Sequence, residues 1–450
     1  SLAILLLGLT GPAFASSPIG EQKTAVILVN FQDDASQPIT VGEAYTRVFG
    51  TVSDMYWEAS YQKTFFSGNA YGWYTIPVSK STCDIYQIAA EADKAATAAG
   101  VNLAAFSRLV YFFPQNACSA TGYNAGQLAV PSRTWLKGNN FTARDLAHEM
   151  GHSFGMSHSQ GLDCDSAVVN GSCVVQTVYD PADTMGSGSM PHFDAIQKEL
   201  LGWLNASGQS SITPVTVNGT YSLAPYEATG TASKVLKVAK GIDSFSGQMS
   251  YYYVEYRQPI GFDTGLASIG NLTSGVLIHV GGADQLSQLL DLTPGSQAGF
   301  DDFQDAALTV GRNFTDSQSG VSITLVSANG SNAVLDVRVG VAQPPPPPAN
   351  TTLSESVGTN KSSYLRGETV SMSARTLSNG APLAGASVKF TLSTPGGGTT
   401  ILNATTGSDG YARSSYKVGK AKGAIGNYGL RADASSGGGS ASASNVFSAK

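Results

Sequence analysis

The sequence predicts three successive parts: an α/β domain, an all-β domain and a small C-terminal β-sandwich. Before about residue 205, apolar runs typical of strands alternate with segments of helical periodicity. Short alternating or β-branched segments follow from Asn205 onward. Five consecutive prolines, Pro344–Pro348, then precede about a hundred residues rich in Ser, Thr, Gly and Ala. The predicted boundaries are 16–204, 205–342 and 351–450, with a Pro-rich linker at 343–350.

Composition excludes several classes of protein. The chain has 450 residues, 26 basic against 32 acidic side chains and a net charge of −6. Charged residues make up only 13% while apolar types reach 42%, which is unlike a disordered chain or a coiled coil. Without a Lys/Arg cluster, nothing favours a nucleic-acid partner or an anionic membrane surface.

The first residues have the pattern of a secretory signal peptide. Ser1–Ala15 (SLAILLLGLTGPAFA) contains an apolar core followed by small residues at Ala13 and Ala15, as before a cleavage site. The charged start of the signal is missing from the given sequence, and the mature chain is expected to begin at Ser16. A short membrane anchor is the alternative, but about ten apolar residues cannot span a bilayer that requires roughly 20. We therefore expect a secreted, extracellular protein without a membrane span.

Four cysteines form an even set, which in an exported chain favours disulfides. Three pairings can be drawn. Sequence proximity favours Cys164–Cys173 and leaves Cys83–Cys118 as the second bridge. A cysteine-based zinc site is disfavoured because no C-x-x-C spacing occurs.

The elements follow from periodicity. The continuous apolar run Thr24–Phe31 predicts a strand covered on both faces. Helical spacing covers Val41–Ser60 and Asp84–Gly100, where Gly100 marks the stop, and Arg108–Phe113 is a further strand. Later strands are predicted at Ser233–Val238, Tyr251–Arg257, Gly275–Val280, Val321–Val326, Ala333–Val339, Thr369–Ala374 and Ser387–Leu392.

The segment NFTARDLAHEMGHSFGMSHS, residues 140–159, carries the chemistry. Thr142 predicts a helix start, and the helix is expected to end at Gly155. His148 and His152 are four residues apart and therefore project from one helical face. After the break at Gly155 the chain can turn back, so that His158 supplies a third imidazole.

Three neutral nitrogen ligands and one open position are the arrangement of catalytic rather than structural zinc. Zn²⁺ lowers the pKa of a bound water toward about 7, and a neighbouring carboxylate can take its proton. Glu149, beside His148, is assigned this general-base role in hydrolysis of an amide bond. The alternatives are a non-catalytic zinc site and a helix with incidental surface histidines. Chance assembly of H-E-x-x-H-x-x-G-x-x-H has odds of about one in a million in this composition.

The His148–His158 pattern resembles the metzincin zinc metallopeptidases, whose second mark is a turn that contains Met. Asp183–Gly186 (DTMG) resembles that turn, and His192–Ala195 with Lys198–Trp203 resembles the gametolysin-like branch more specifically. Tyr251–Phe262 and Asp291–Gly295 are also similar to bacterial members. The resemblance implies an α+β or α/β catalytic domain with a mixed sheet and an active-site helix, in which Met185 supports the ligands from below without binding zinc. Where several branches carry a Tyr that assists the zinc, this chain has Ser187, so the oxyanion donor beyond zinc is unassigned.

Other polar residues are weaker candidates. Tyr179 is either an oxyanion donor or a packing residue, and His192 either contacts substrate or packs. His279 lies in a predicted strand and is expected to be structural. Calcium could bind at two acidic groups, although neither has EF-hand spacing: Asp163 with Asp165, and Asp301 with Asp302 and Asp305.

Substrate and tail can be placed only coarsely. An extended peptide is expected to add to a sheet edge in Ala117–Pro131, where a bulky residue at Gly126 or Ala129 should impair turnover. Gly380–Leu392, Gly407–Ala412 and Gly426–Ala432 resemble bacterial Ig-like domains of the invasin or macroglobulin-like type. This resemblance implies either a module that docks on a cell surface, matrix or polysaccharide, or a spacer.

The sequence as a whole predicts a secreted zinc-dependent endopeptidase that acts on extracellular proteins or peptides. Two rivals remain. One is an exported adhesion or binding protein whose metallopeptidase domain is degenerate, and the other is a zinc amidase that acts on non-peptide amides.

Overall fold

A computed structural model describes residues 17–118, 122–124, 131–138, 141–170, 172–204, 210–243, 247–282, 286–296, 299–340, 353–378, 381–407, 409–436 and 439–450. The predicted signal peptide, Ser16 and the linker at 343–350 lie outside these residues. The chain divides into two compact units, one of residues 1–241 and 248–342 and the other of residues 242–247 and 343–450. No helix in the described part of the chain has the length and apolarity to cross a bilayer.

The first unit begins with a five-stranded sheet. Its order is β2-β1-β3-β5-β4, and all neighbours are parallel except the edge strand β4, which runs antiparallel to β5. The strands are β1 (Gly20–Phe31), β2 (Thr64–Ile76), β3 (Arg108–Phe113), β4 (Gly122–Asn124) and β5 (Ser132–Lys137). The helices around it are α1 (Val41–Thr46), continued by a π-helical turn (Arg47–Val52) into α2 (Ser53–Ala59), then α3 (Ile85–Ala98), a 3₁₀ turn (Leu103–Ala105) and α4 (Ala143–Ser153).

Alternation along β1 explains why both faces of this sheet are covered. Val26 and Leu28 point to one face and pack in a core with residues of α1, α2 and α4. Ala25 and Ile27 point to the other face and pack with the apolar side of α3. Because every apolar residue of β1 is buried on one side or the other, the strand reads as a continuous apolar run.

A second sheet carries the chain beyond the catalytic motif. Its order is β7-β6-β13-β12-β11-β10-β8, with β14 paired to β12. The strands are β6 (Ser159–Asp163), β7 (Val174–Gln176), β8 (Ile212–Val215), β10 (Val235–Ile242), β11 (Met249–Glu255), β12 (Gly275–Gly282), β13 (Ser287–Leu290) and β14 (Leu308–Thr309). Strand β6 lies before residue 204 and pairs in parallel with β13, so the two parts predicted on either side of that boundary share one sheet.

A four-stranded antiparallel sheet packs on the second sheet. It consists of β9 (Gly219–Leu223), β15 (Asn313–Asp316), β16 (Val321–Ala328) and β17 (Ala333–Val339), in the order β15-β16-β17-β9. Tyr252 of β11 and Phe314 of β15 meet edge to face at 5.1 Å within the shared core. Helix α5 (Ala195–Leu200) and two 3₁₀ segments (Gly261–Ser268 and Gly299–Asp305) complete the unit.

The second unit is a β-sandwich. One sheet contains β18 (Leu353–Thr359), β20 (Thr369–Ser378), β21 (Ala381–Pro382) and β24 (Tyr411–Lys417), and the other contains β19 (Ser363–Tyr364), β22 (Ser387–Ser393), β23 (Thr399–Thr405), β25 (Gly426–Ser436) and β26 (Gly439–Ala449). A 3₁₀ turn, Lys422–Ala424, precedes β25. Val370, Phe390 and Tyr428 are buried in the core between the sheets. The unit therefore has its own apolar core without a cysteine.

The predicted β-rich character is confirmed, since the described residues form several sheets and few helices. β1 begins at Gly20 rather than Thr24, whereas Arg108–Phe113 and Ala333–Val339 have the predicted bounds. Both disulfides favoured by sequence proximity are present, Cys83–Cys118 and Cys164–Cys173.

Candidate active site

Helix α4 begins and ends where local sequence dictates. The Thr142 hydroxyl accepts a hydrogen bond from the backbone N–H of Asp145 at 3.0 Å and so caps the first turn. At the other end Gly155 has a φ of +97°, a conformation that favours glycine. The chain then turns back, and the carbonyl of Met156 lies beside His152 of the helix it has just left.

The three histidines of the motif converge. The ligand-capable atoms of His148, His152 and His158 all lie within 4.8 Å of one another. Their ring centroids are 4.9, 5.1 and 4.8 Å apart, and the Nε2 atoms of His152 and His158 are 3.2 Å apart. The helical spacing aligns the first two rings, and the turn at Gly155 brings in the third.

Backbone carbonyls fix the tautomers of two of these rings. The Nδ1–H of His148 donates to the Thr184 carbonyl at 2.9 Å, and the Nδ1–H of His152 donates to the Met156 carbonyl at 2.8 Å. Because a carbonyl oxygen only accepts, Nε2 of each ring carries the free lone pair. Burial lowers the pKa of all three imidazoles, that of His148 to about 3, so the rings are neutral.

This donor set fits a zinc ion. Two nitrogens at about 2.05 Å from a tetrahedral centre lie roughly 3.3 Å apart, close to the 3.2 Å between Nε2 of His152 and Nε2 of His158. Neutral imidazoles with carbonyl-fixed tautomers are also the form in which histidine binds metal. Glu149 is half-buried on α4 beside His148.

Met185 lies against the active-site helix. It is fully buried, and a Cβ placed on Gly151 would lie 2.3 Å from its sulfur. Gly151 immediately precedes His152, so the glycine lets the turn approach the helix between the first two histidines. Arg144 holds the same turn from the first turn of α4, with its guanidinium donating to the Gly186 carbonyl at 2.5 Å and the Gly188 carbonyl at 3.2 Å.

A buried ion pair lies beneath this turn. His279 of β12 donates from Nε2 to the Asp180 carboxylate at 2.8 Å, and both side chains are fully buried. Burial opposes the charged imidazole, but Asp180 and Glu255 outweigh it and raise the pKa of His279 to about 9. Asp194 completes a second group of ligand-type residues with this pair. A separation of 2.8 Å is a hydrogen-bond distance, shorter than two ligands of one tetrahedral ion allow, so we interpret the group as an ion pair.

His192 is fully buried and makes hydrogen bonds within the protein. Its Nε2 is 2.9 Å from the Glu58 carboxylate, and its Nδ1 is 3.0 Å from the Lys198 ammonium. Burial, followed by the charge of Lys198, lowers the pKa of His192 to about 4. Burial also lowers the pKa of Lys198 to about 7. The structure therefore supports the packing alternative for His192 over contact with substrate.

The remaining candidates are not drawn together at the histidines. Tyr179 packs edge to face on Phe303 at 6.1 Å. Within the described residues, neither acidic group considered for calcium forms a cluster of three converging ligands. Asp163 accepts the backbone N–H of Asp165 at 3.1 Å, and the hydroxyl of Ser296 donates to both Asp302 and Asp305.

The expected substrate edge is described only in part. Strand β4 lies at the edge of the first sheet, antiparallel to β5. Residues 119–121 and 125–130, with Gly126 and Ala129 among them, lie outside the described residues.

Several residues around the site escaped the sequence analysis. Arg144, Ser159 and Asp180 connect the active-site helix, β6 and the turn at Met185 through hydrogen bonds. Asp180 stands only five residues before Met185, and a polar residue so close to a predicted turn was the one available signal. Nothing in the spacing indicates that His279 would pair with it.

Comparison with known proteins assigns the family. The family model of the gametolysin peptidase M11 family matches residues 38–284, which is more than half of the chain. The chain therefore belongs to the gametolysin peptidase M11 family, and the protein is a metallopeptidase by family. The matched range contains all three histidines, the Met185 turn and His279. A search of the curated proteins found no match.

Solved structures give weaker likenesses. A DUF4785 family protein from Legionella pneumophila is 15% identical with a TM-score of 0.20, over 27% of this chain and 34% of that one. A conjugative transposon lipoprotein from Bacteroides eggerthii is 12% identical with a TM-score of 0.16, over 21% of this chain and 95% of that one. A chaperone–substrate complex is 14% identical with a TM-score of 0.25, over 39% of this chain and 29% of that one. The chain spans about a third of the first of these proteins, and TM-scores this low support no conclusion about fold or function.

Proposed function

We propose that this protein is a secreted, zinc-dependent endopeptidase with a metzincin-like catalytic domain. The single observation that carries the proposal is the convergence of three imidazoles, two of which have their tautomers fixed by carbonyls. Membership of a peptidase family supplies the substrate class, which is proteins or peptides.

In this proposal His148, His152 and His158 hold one Zn²⁺ through Nε2. The ion, when bound, supplies a Lewis acid that lowers the pKa of water to about 7 and polarises a carbonyl. Glu149 is the general base that accepts the proton of the attacking water. The protonated Glu149 then donates that proton to the leaving amine, which balances the hydrolysis of one peptide bond.

Secretion, the site of action and the role of the tail are parts of the same proposal. Two disulfides are consistent with an oxidising, extracellular environment. We propose an Ig-like character for the C-terminal sandwich and a docking or spacer role for it. Calcium is not needed for the proposed chemistry.

The first test concerns Glu149. Glu149→Gln removes the base but keeps the size of the side chain, so kcat on a peptide or casein should fall about 100- to 10,000-fold. Zinc content, measured by metal analysis of the same sample, should stay at that of the wild type. Glu91→Gln, an exposed position on α3, is the matched control and should retain full activity.

Three results would contradict the proposal. They are a folded wild type that binds no zinc, a wild type whose activity survives a zinc chelator, and a Glu149→Gln protein that remains active. An exported binding protein with a degenerate catalytic domain would bind its target regardless of chelator and substitution. A panel of non-peptide amides separates a zinc amidase from an endopeptidase.

A further inference from the structure

The three histidines differ in how they are held. Carbonyl oxygens orient His148 and His152 directly, at 2.9 and 2.8 Å from Nδ1. Within the described residues, no hydrogen bond holds the Nδ1 of His158, and its one ring hydrogen-bond distance is to Nε2 of His152. His158 also follows the helix rather than belonging to it. Its position therefore depends on what anchors the backbone beside it.

Ser159, the next residue, provides that anchor in two directions. Its backbone N–H donates to the Met185 carbonyl at 3.1 Å. Its hydroxyl donates to the Asp180 carboxylate at 2.7 Å, in an environment that is fully buried. A buried hydrogen bond to a charged acceptor is among the stronger interactions of a folded protein, so Ser159 is held where Asp180 is held.

Asp180 in turn connects to the turn at Met185. Its backbone carbonyl accepts the N–H of Ser187 at 2.8 Å, and its second carboxylate oxygen accepts the N–H of Ala182 at 2.8 Å. A Cβ on Gly186 would lie 2.2 Å from the same carbonyl, which shows how closely the two strands of the turn approach. One residue therefore joins the start of the turn, its end and the backbone next to His158.

A buried carboxylate of this kind requires a partner of opposite charge. His279 is that partner, since its Nε2 is 2.8 Å from Asp180 and its ring is fully buried in β12. The other side of the ring faces Glu255, at 3.7 Å from Nδ1. Arg257 donates to this glutamate at 3.1 Å, which balances the second carboxylate.

We propose that His279 is a positioning residue for zinc binding, acting through Asp180 and Ser159 on His158. The inference rests on the proposed function, because it concerns the same zinc site. It assigns a role to a strand more than a hundred residues beyond the motif. The β-rich part of the unit is thereby a component of the metal site rather than an appended domain.

The test measures zinc affinity rather than activity alone. His279→Phe keeps a ring but removes the donor, and the zinc dissociation constant, determined by competition with a chromophoric chelator, should rise about 10- to 100-fold. His279→Gln keeps an N–H donor near the position of Nε2 and should recover part of this loss. Folding of each variant is checked by circular dichroism and by the thermal midpoint of the metal-free protein.

Ser159→Ala tests the same path if His279→Phe fails to fold. It removes only the hydroxyl and should weaken zinc binding about 10-fold. Ser287→Ala is the matched control: Ser287 is the register partner of Ser159 on β13, it is also buried, and its hydroxyl has no hydrogen-bond partner. Its zinc affinity should equal that of the wild type.

The possible failures can be told apart. If the wild type binds zinc and cleaves peptide, but His279→Phe and Ser159→Ala bind zinc as tightly as Ser287→Ala, the inference is wrong and the proposed function stands. A lower thermal midpoint without a change in zinc affinity would likewise reduce His279 to a purely structural residue. Two zinc ions per chain, falling to one in His279→Phe, would overturn the ion pair in favour of metal at Asp180, Asp194 and His279. A wild type without zinc would instead refute the proposed function itself.

Discussion

Single side chains in this protein are controlled mainly by who accepts their protons. His148 and His152 each give one proton to a carbonyl, which leaves the other nitrogen free. His192 lies between a carboxylate and an ammonium, and His279 beside a carboxylate. The same residue type thus has a pKa of about 4 at His192 and about 9 at His279, because the partners differ while both rings are fully buried.

The contact between Gly151 and Met185 predicts a sensitive position. Gly151→Ala adds a methyl group where the Met185 sulfur would be only 2.3 Å away, so the turn or the helix must shift. We expect a loss of about 1–3 kcal/mol in the free energy of unfolding, measured by urea titration, together with weaker zinc binding. Gly100→Ala is a useful comparison, since a Cβ there meets nothing within 4 Å, although its φ of +89° adds local strain. Zinc affinity should fall only in Gly151→Ala, and equal affinity in both variants would argue against the Met185 contact as a support.

The ion pair of His279 predicts a pH dependence of stability. Its folded pKa of about 9 exceeds the value of about 6.5 for a free histidine, so its contribution is complete below pH 6.5 and is lost as pH rises through 9. The wild type should therefore exceed His279→Gln in free energy of unfolding most at pH 6, and this difference should shrink by about 3 kcal/mol by pH 10. Asp180, Glu255 and Asp194 face the ring and are common to both proteins. Denaturant titrations across this range check the prediction, and a constant difference would show that His279 stays uncharged.

Among secondary-structure elements, β6 does the most to organise the site. It begins at Ser159, directly after His158, and pairs with β13 and β7. The turn of Gly155 feeds the third histidine into this strand, so the position of His158 is determined by a sheet and that of His148 and His152 by a helix. The metal site therefore lies where the first helical layer meets the second sheet.

The disulfides predict graded losses of stability for the elements that they join. Cys164–Cys173 spans nine positions beside β6 and β7, whereas Cys83–Cys118 spans 35. In the chain-entropy account, loops of these lengths correspond to about 3 and about 4 kcal/mol. Replacing each pair with serines and measuring unfolding by denaturant should give the larger loss for Cys83–Cys118. The reverse order would mean that folded-state contacts, rather than the unfolded chain, dominate the effect.

For the molecule as a whole, the division into two units has a functional consequence. The zinc site, the ion pair and both disulfides belong to the first unit, and the sandwich has a separate core. A chain that ends at Ala342 should therefore fold and hydrolyse a short peptide with kcat/KM within about twofold of the full chain. A large loss of peptidase activity on truncation would show that the tail contributes to the site. Binding of both forms to cell surfaces or polysaccharide separates a docking tail from a spacer.

Much of this protein could be predicted from local sequence. Period-two and helical patterns located β1, α3, α4 and most later strands, because burial on alternating faces leaves a direct trace in neighbouring residues. The three histidines were predicted to converge on the same grounds, since helical spacing and a glycine break act within eleven residues. Proximity also selected both disulfides that the structure contains.

The remainder depends on contacts between residues that are distant along the chain. The pairing of β6 with β13, the ion pair of Asp180 with His279, and the burial of His192 between Glu58 and Lys198 each join segments about a hundred residues apart. Charge partners leave no periodic pattern, since any carboxylate can pair with any imidazole that the fold brings near. The motif therefore specified which atoms could hold a metal, whereas long-range packing decided what holds those atoms in place.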